Sequence, residues 1–335
     1  MEAAIDVEKL FTAIDDMASL IQEDLQVTYL EALAEAGESL FQGEVVVETS
    51  EGVNERVKSL LSPLQDVELE AETVRKVFQL AVLKGMKEAT QPHHAMTPDG
   101  VALFVSYLVN KVMSGQERIS LLDPAVGTAN LLSAIINQSP SQVRSYGFEV
   151  DETLLKLAFV STNLQAREVG FFHQDSIRPI HLSPVDLVVS DLPVGYYPND
   201  DIAEGYQLKA KQGHSYSHHL LIEQSINSVK EGGFLIFIIP NFLFSSEEAP
   251  ALNDFIKEHA VIHGLLQLPP SMFKSEQQAK SIFMLQKKGE NVITPRQALM
   301  AELPSFSNKQ ALADMIKRID DWFEQELHID VNKGE

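Results

Sequence analysis

Four carboxylates recur at the ends of short apolar runs. Asp123 closes "ISLLD", Glu149 stands in "YGFEVD", Asp175 follows "GFFHQ", and Asp191 closes "DLVVSD". Such β-branched or aromatic runs, bounded by turn residues, read as strands, so each acid sits at or just past a strand tip. After Asp123 comes a turn with Gly127 and then an apolar helix, a loop that a ligand can approach closely. It has neither the Lys nor the second Gly of a phosphate-binding P-loop, and only one glycine of the dinucleotide pattern. Glu149 lies 26 residues beyond Asp123, near the spacing at which an acid in a βαβ unit meets ribose hydroxyls; a solvated strand-end acid is the competing reading. Asp175 can read an adenine amino group, with Phe171 or Phe172 flanking the ring. A cup of four acids disfavours a phosphate-rich dinucleotide and welcomes a cationic nucleoside, a description that a sulfonium bearing adenosine fits. The fourth tip continues as "DLPVGYYP" (191–198). It is either an ordinary strand exit or a stiff turn that holds an amine.

The elements that must position these acids follow from periodicity. From about 95 to 290, strands alternate with helical stretches such as "DETLLKLAFVSTNLQ" and "HHLLIEQSINSVKEGG", the latter expected to stop at Gly232 and Gly233. That alternation predicts βαβ units and a parallel sheet covered on both faces, with ligands at the carboxyl ends of its strands. Residues 1–92 read as a helical domain: Leu10, Ile14, Met17, Ile21 and Leu25 recur at three- and four-residue spacing, and "VRKVFQLAVLKGM" (74–86) repeats the pattern. No catalytic constellation lies there; packing or dimerisation is its expected role. After Asn291 a polar stretch leads to one more amphipathic helix, about Lys309 to Leu327, with Trp322 on it.

Bulk composition narrows the function classes. The 335 residues, 44% hydrophobic and 22% charged, suit a soluble two-domain protein. No apolar run reaches the ~18 residues of a membrane span, and "MEAAIDVEKL" lacks the parts of a signal peptide. A cytoplasmic location is therefore expected. With no cysteine, disulfides and thiolate metal sites are excluded. Forty-eight acids face 26 bases for a net charge of −22, and Lys9 is the only base in the first fifty residues. Such a molecule is repelled by nucleic acid at long range. "HSYSHH" (214–219) lacks a carboxylate at ligand spacing, so no metal is expected; His218 and His219 open the next helix, and His93 and His94 are loop residues. "LKAKQGH" (208–214) is a solvated loop or a substrate-phosphate contact.

Taken together, these segments resemble class I S-adenosylmethionine-dependent methyltransferases. They resemble most closely the adenine-N6 DNA methyltransferases, especially modification subunits of type I restriction systems. The family loop approximated by DPACGTGGFL is similar to "DPAVGTANLL" (123–132), and its catalytic [D/N/S]PP[Y/F/W] to "DLPV" (191–194). "HHAMTPDGVALFVSYLV" is similar to the Thr-Pro segment above the cofactor, while "SVKEGGFLIFIIPNFLF" and "VIHGLLQLPPSMFKSEQQAKSIFMLQKKG" match later strands. The resemblance implies a Rossmann-like class I methyltransferase sheet over 93–290, following the α-helical domain 1–92 and followed by a helical tail, 291–335. It implies S-adenosylmethionine as cofactor, held by Thr97, Asp123, Pro124, Ala125, Gly127, Thr128, Asn130, Glu149, Val150, Asp175, Ser176 and Asp191. Asp123 would lie near the methionine part, Glu149 would bind ribose and Asp175 adenine. Asp191 and Pro193 would hold the target amine. Ala129 replaces a family glycine, Leu192 the first proline, and Val194 the aromatic that stacks on a flipped base, a contact worth about 1–3 kcal/mol. Tyr196 or Tyr197 can supply that ring, or both can cover the sheet edge. Exposure of the rings with Lys209 and Lys211 nearby favours DNA as acceptor; burial favours a non-catalytic scaffold. RNA, a protein or a small molecule is the remaining acceptor class. No target-recognition segment is visible, so a protein partner for targeting is implied, and a homodimer is open.

Overall fold

The computed structural model describes residues 5–65, 67–88 and 96–329. His93 and His94 lie outside the described residues. Among them run the helices α1 (Val7–Leu25), α2 (Tyr29–Gln42), α3 (Glu51–Leu61), α4 (Ala71–Glu88) and α5 (Asp99–Val112), then alternation begins. It comprises β1 (Arg118–Asp123), α6 (Asn130–Gln138), β2 (Gln142–Glu149), α7 (Glu152–Leu164), β3 (Val169–His173), β4 (Val185–Asp191), α8 (Asp200–Ala203) and α9 (Ser217–Ser228). The chain continues through β5 (Val229–Pro240), α10 (Ala249–His259), β6 (Ala260–Gln267), β7 (Lys280–Lys287), β8 (Leu299–Glu302) and α11 (Lys309–Leu327). No described helix is long and apolar enough to cross a membrane.

The strands form one eight-stranded sheet in the order β3-β2-β1-β4-β5-β7-β6-β8. The chain order reverses between β1 and β4, a topological switch point of the kind at which open α/β sheets bind ligands. β1, β4 and β5 are parallel, whereas β7 runs antiparallel between β5 and β6. The start of β7 therefore shares a sheet edge with the ends of β4 and β5.

The chain forms two compact units. The first gathers residues 1–97, 126–137 and 147–173. Its helices begin where polar side chains satisfy free N–H groups: Asp6 accepts from Lys9 N–H, and Thr28 with Glu31 makes a reciprocal capping box on α2. Leu10, Ile14, Met17 and Ile21 are wholly buried, as their spacing predicts, and join Leu33, Phe78, Leu157 and Val160 in one core. The N-terminal helices thus spend their apolar faces on α7. Gly37 permits this approach, because a Cβ there would come within 2.5 Å of Val160 Cγ1 and 2.8 Å of Phe78 Cζ.

The second unit holds 98–125, 138–146 and 174–335. Its β5 corrects one expectation. The α9 helix stops at Ser228, and Gly232 and Gly233 lie inside β5 rather than capping the helix. Gly232 is left-handed at φ +74, and a Cβ at Gly233 would meet Asp186 O at 2.9 Å. These glycines serve an irregularity in the β4–β5 register, where bulges demand residues without side chains.

Candidate functional site

Within the first unit, Glu149 at the tip of β2 organises the loop after β1. Its Oε2 accepts Gly127 N–H at 2.9 Å, and its Oε1 accepts Val150 and Asp151 N–H at 2.8 and 3.0 Å. Gly127 has φ +54, and a Cβ placed there would meet nothing within 4 Å, so its outer face is open backbone. Ala129 is also left-handed, φ +60, and fully buried. Asn130 at the start of α6 donates to Thr97 O at 3.1 Å and accepts from Arg75 Nη1 at 2.9 Å. Arg75 is itself buried and grips Glu72 with both Nε and Nη2. Burial would push the Glu72 carboxyl up, yet the hydrogen bonds and charge of Arg75 hold it below the usual range. Thr128 is half-buried, and Val150 is 60% exposed beside His173, whose Nε2 contacts Val150 O. Phe172 stacks on Phe148 at 4.7 Å, and Phe171 packs over Gly147.

Within the second unit the tips of β1 and β4 are tied together. Ser190 Oγ donates to Asp123 Oδ1 at 2.7 Å, and the same oxygen accepts Ala125 N–H at 3.0 Å. Ser176 Oγ donates to Pro124 O. Asp175 accepts Ile177 N–H on Oδ1 and the Tyr197 hydroxyl on Oδ2. Ser190 thus ties the loop after β1 to β4, Ser176 ties it to the turn after β3, and Tyr197 fastens that turn at Asp175. Tyr197 is buried, and burial first, then Asp175, raises its phenol above the ordinary value.

The "DLPV" turn departs from the family pattern in a way its geometry explains. Leu192 is wholly buried, and its N–H donates to Ile238 O at 3.1 Å, extending the β4–β5 ladder by one residue. A proline has no N–H to donate to that ladder. Pro193 and Val194 are exposed. Asp191 lies opposite Ile238, and its Oδ1 binds Lys280 Nζ at 2.6 Å, with side-chain exposures of 14% and 20%. Gly195 and Tyr197 then pair with residues 215–217, and the Tyr196 ring stacks on Tyr216 at 4.9 Å and 16°. Tyr196 is 63% exposed, so the two tyrosines divide the roles: one ring faces solvent, the other fastens Asp175.

Beneath this turn His218 and His219, near the start of α9, are buried and 5.0 Å apart. Burial, then His219, pushes His218 down to about 3 against a weak opposing effect of the Pro193 backbone; burial alone pushes His219 down to about 4. His214 instead pairs with Asp200 on the surface. Among the described residues no three His, Asp or Glu converge as metal ligands. Lys209 is engaged by Glu204. Nothing in the sequence singles out Arg75, Ser190 or Lys280 within their segments; only their partners reveal them. A hollow of about 330 Å³ lined by Glu231, Gly232, Gln286 and Glu290 lies at the opposite end of β5 and contains none of these groups.

The chain matches two family models: N-6 DNA Methylase over residues 87–333 and the YtxK N-terminal helical domain over residues 8–86. It is 49% identical to YtxK of Bacillus subtilis strain 168, an uncharacterized protein, over 96% of this chain and 98% of that one. A crystal structure from Listeria monocytogenes, provisionally described as a class I S-adenosylmethionine-dependent methyltransferase, superposes with TM-score 0.88 at 38% identity. That likeness covers 95% of this chain and 98% of the other. The type I restriction-modification methyltransferase subunit of Streptococcus thermophilus shares the fold, with TM-score 0.64, 15% identity, and coverage of 96% and 76%.

Proposed function

The chain belongs to the N-6 DNA methylase family of class I S-adenosylmethionine-dependent methyltransferases, and from that premise we propose that it methylates the N6 amine of adenine in DNA. The observation that carries this reading is the acid-proline turn at the tip of β4, with Asp191 at its start and the exposed Tyr196 ring beyond it. An exocyclic amine donates its lone pair into the ring and is a poor nucleophile. Accepting one N–H on the Asp191 carboxylate and the other on a main-chain carbonyl of the Pro193 region favours a tetrahedral nitrogen. Pro193 fixes φ, so the acceptors are aimed before the amine arrives. Tyr196, backed by Tyr216, takes the stacking role that Val194 cannot.

S-Adenosylmethionine, when bound, supplies a methyl group on a sulfonium. The residues fit it: Gly127 offers open backbone, and Glu149 uses three acceptor positions of about four, leaving one for a ribose hydroxyl. We assign Glu149 to ribose, Asp175 to the adenine amino group, and Asp123 to the region of the methionine moiety. To the same cofactor we also assign Thr97, Pro124, Ala125, Thr128, Asn130, Val150 and Ser176. A net charge of −22 opposes long-range capture of DNA, so targeting falls to a partner protein. The Lys280 ion pair favours a second reading, a scaffold that binds the cofactor without transferring methyl.

The test is transfer of labelled methyl to unmethylated genomic DNA, followed by digestion and separation of nucleosides. Label should appear in N6-methyladenine and fall about a hundredfold or more in Asp191→Ala, which keeps its cofactor affinity. Asp123→Ala and Glu149→Ala should weaken cofactor binding by calorimetry. Unchanged affinity in both would sink the cofactor assignment, and intact binding with no label in DNA would favour the scaffold.

A further inference from the structure

The carboxylate assigned to the acceptor amine already holds an amine of the chain itself. Lys280 opens β7 opposite Pro240, whereas Asp191 ends β4 opposite Ile238, so the Lys280 side chain crosses the end of β5 to reach its partner. The backbone around Lys280 is fixed: its carbonyl accepts Leu268 N–H at 3.0 Å, Ala279 O accepts Asn241 N–H at 2.9 Å, and Ser281 Oγ bonds Asn241 Oδ1 at 2.7 Å. What can move is the four-carbon stem. Both charges are largely shielded from water, which strengthens the pair relative to a surface one.

We propose that Lys280 is a specificity-determining residue that competes with the acceptor's amine for Asp191 and yields only to an acceptor carrying an anion beside that amine. The inference rests on the amine-holding role of Asp191 given above. An ammonium binds a carboxylate far more strongly than the weakly polar N–H of an aromatic amine does, so a bare nucleoside cannot displace it. A nucleic-acid phosphate offers Lys280 a second anion within reach of its long stem. The ammonium moves to the phosphate, Asp191 is released, and the base amine takes its place. Acceptors without phosphate are thereby refused, even though the molecule as a whole is acidic.

The experiment compares adenosine with an adenine-containing oligonucleotide, in wild type, Lys280→Met, Lys280→Gln and Lys280→Arg. Binding is read by calorimetry with S-adenosylhomocysteine saturating the cofactor site, and transfer is read as N6-methyl product. Removal of the ammonium, in either neutral variant, should tighten adenosine binding at least tenfold, lower its KM with little change in kcat, and shrink the preference for the oligonucleotide. Lys280→Arg keeps the charge and should behave as wild type, and affinity for the cofactor product should be the same in all four. Failure of both neutral variants to tighten adenosine, while wild type still methylates DNA, overturns the role of Lys280 and leaves that of Asp191 standing. Absence of N6-methyl product from every form, with cofactor binding intact, removes the adenine reading itself, and this inference with it.

Discussion

Ala129 shows how one residue carries two opposed demands. Its left-handed φ of +60 costs an alanine about 1–2 kcal/mol relative to glycine, yet its methyl is fully buried and contributes about 0.8 kcal/mol. Restoring the family residue with Ala129→Gly should therefore move stability by no more than about 1 kcal/mol, measured by urea unfolding. A large loss would mean that the methyl packs more tightly than its burial suggests. Leu192 is a similar case, for its hydrogen bond to Ile238 and complete burial make it part of the sheet rather than a damaged proline.

At the scale of elements, the N-terminal helices are connected to the start of α6, beside the loop after β1. The path runs from Glu72 and Arg75 on α4 to Asn130 at the start of α6, and from there to Thr97. Arg75→Met would leave Glu72 with its Asn137 hydrogen bond and with Lys76 at 3.8 Å, and would strip Asn130 of a donor. Breaking a buried pair by removing one partner costs about 3–5 kcal/mol; with Glu72 21% exposed and still bonded to Asn137, the lower end is expected. The variant should lower the unfolding free energy and also weaken cofactor binding. A stability loss with unchanged affinity would reduce these helices to a packing module, the role their periodicity alone suggests.

Across the molecule, three buried histidines set an acid limit. Burial pushes His218 down to about 3, and His219 and His263 to about 4, from an ordinary value near 6.5. The unfolded chain thus takes up protons that the folded chain refuses. Stability is complete above about pH 6.5 and falls as pH drops toward 4, by up to about 1.4 kcal/mol per pH unit for each histidine. Glu72, held low by Arg75, acts in the same direction at lower pH. Unfolding free energies at pH 7 and pH 5 should differ by more than about 2 kcal/mol, and His219→Phe should flatten the slope. A pH-independent stability over that range would mean that these rings are hydrated in solution.

Much of this protein is legible in its order of residues, because period and turn chemistry are local. The spacing of Leu10, Ile14, Met17 and Ile21 fixes a buried helical face, and the runs ending at Asp123, Glu149 and Asp191 fix strands with acids at their tips. The motif resemblance led to the family that the comparisons show. Other features depend on residues far apart in the chain. Gly232 and Gly233 read as a helix stop until β4 lies beside them. Tyr196 and Tyr197 are indistinguishable neighbours until one meets Tyr216 and the other Asp175. Lys280 stands 89 positions from Asp191. It reaches that carboxylate only because β7 runs antiparallel, bringing its first residue to the edge where β4 ends. Strand direction in a folded sheet is settled by pairing, and pairing is a property of the whole chain rather than of any stretch of it.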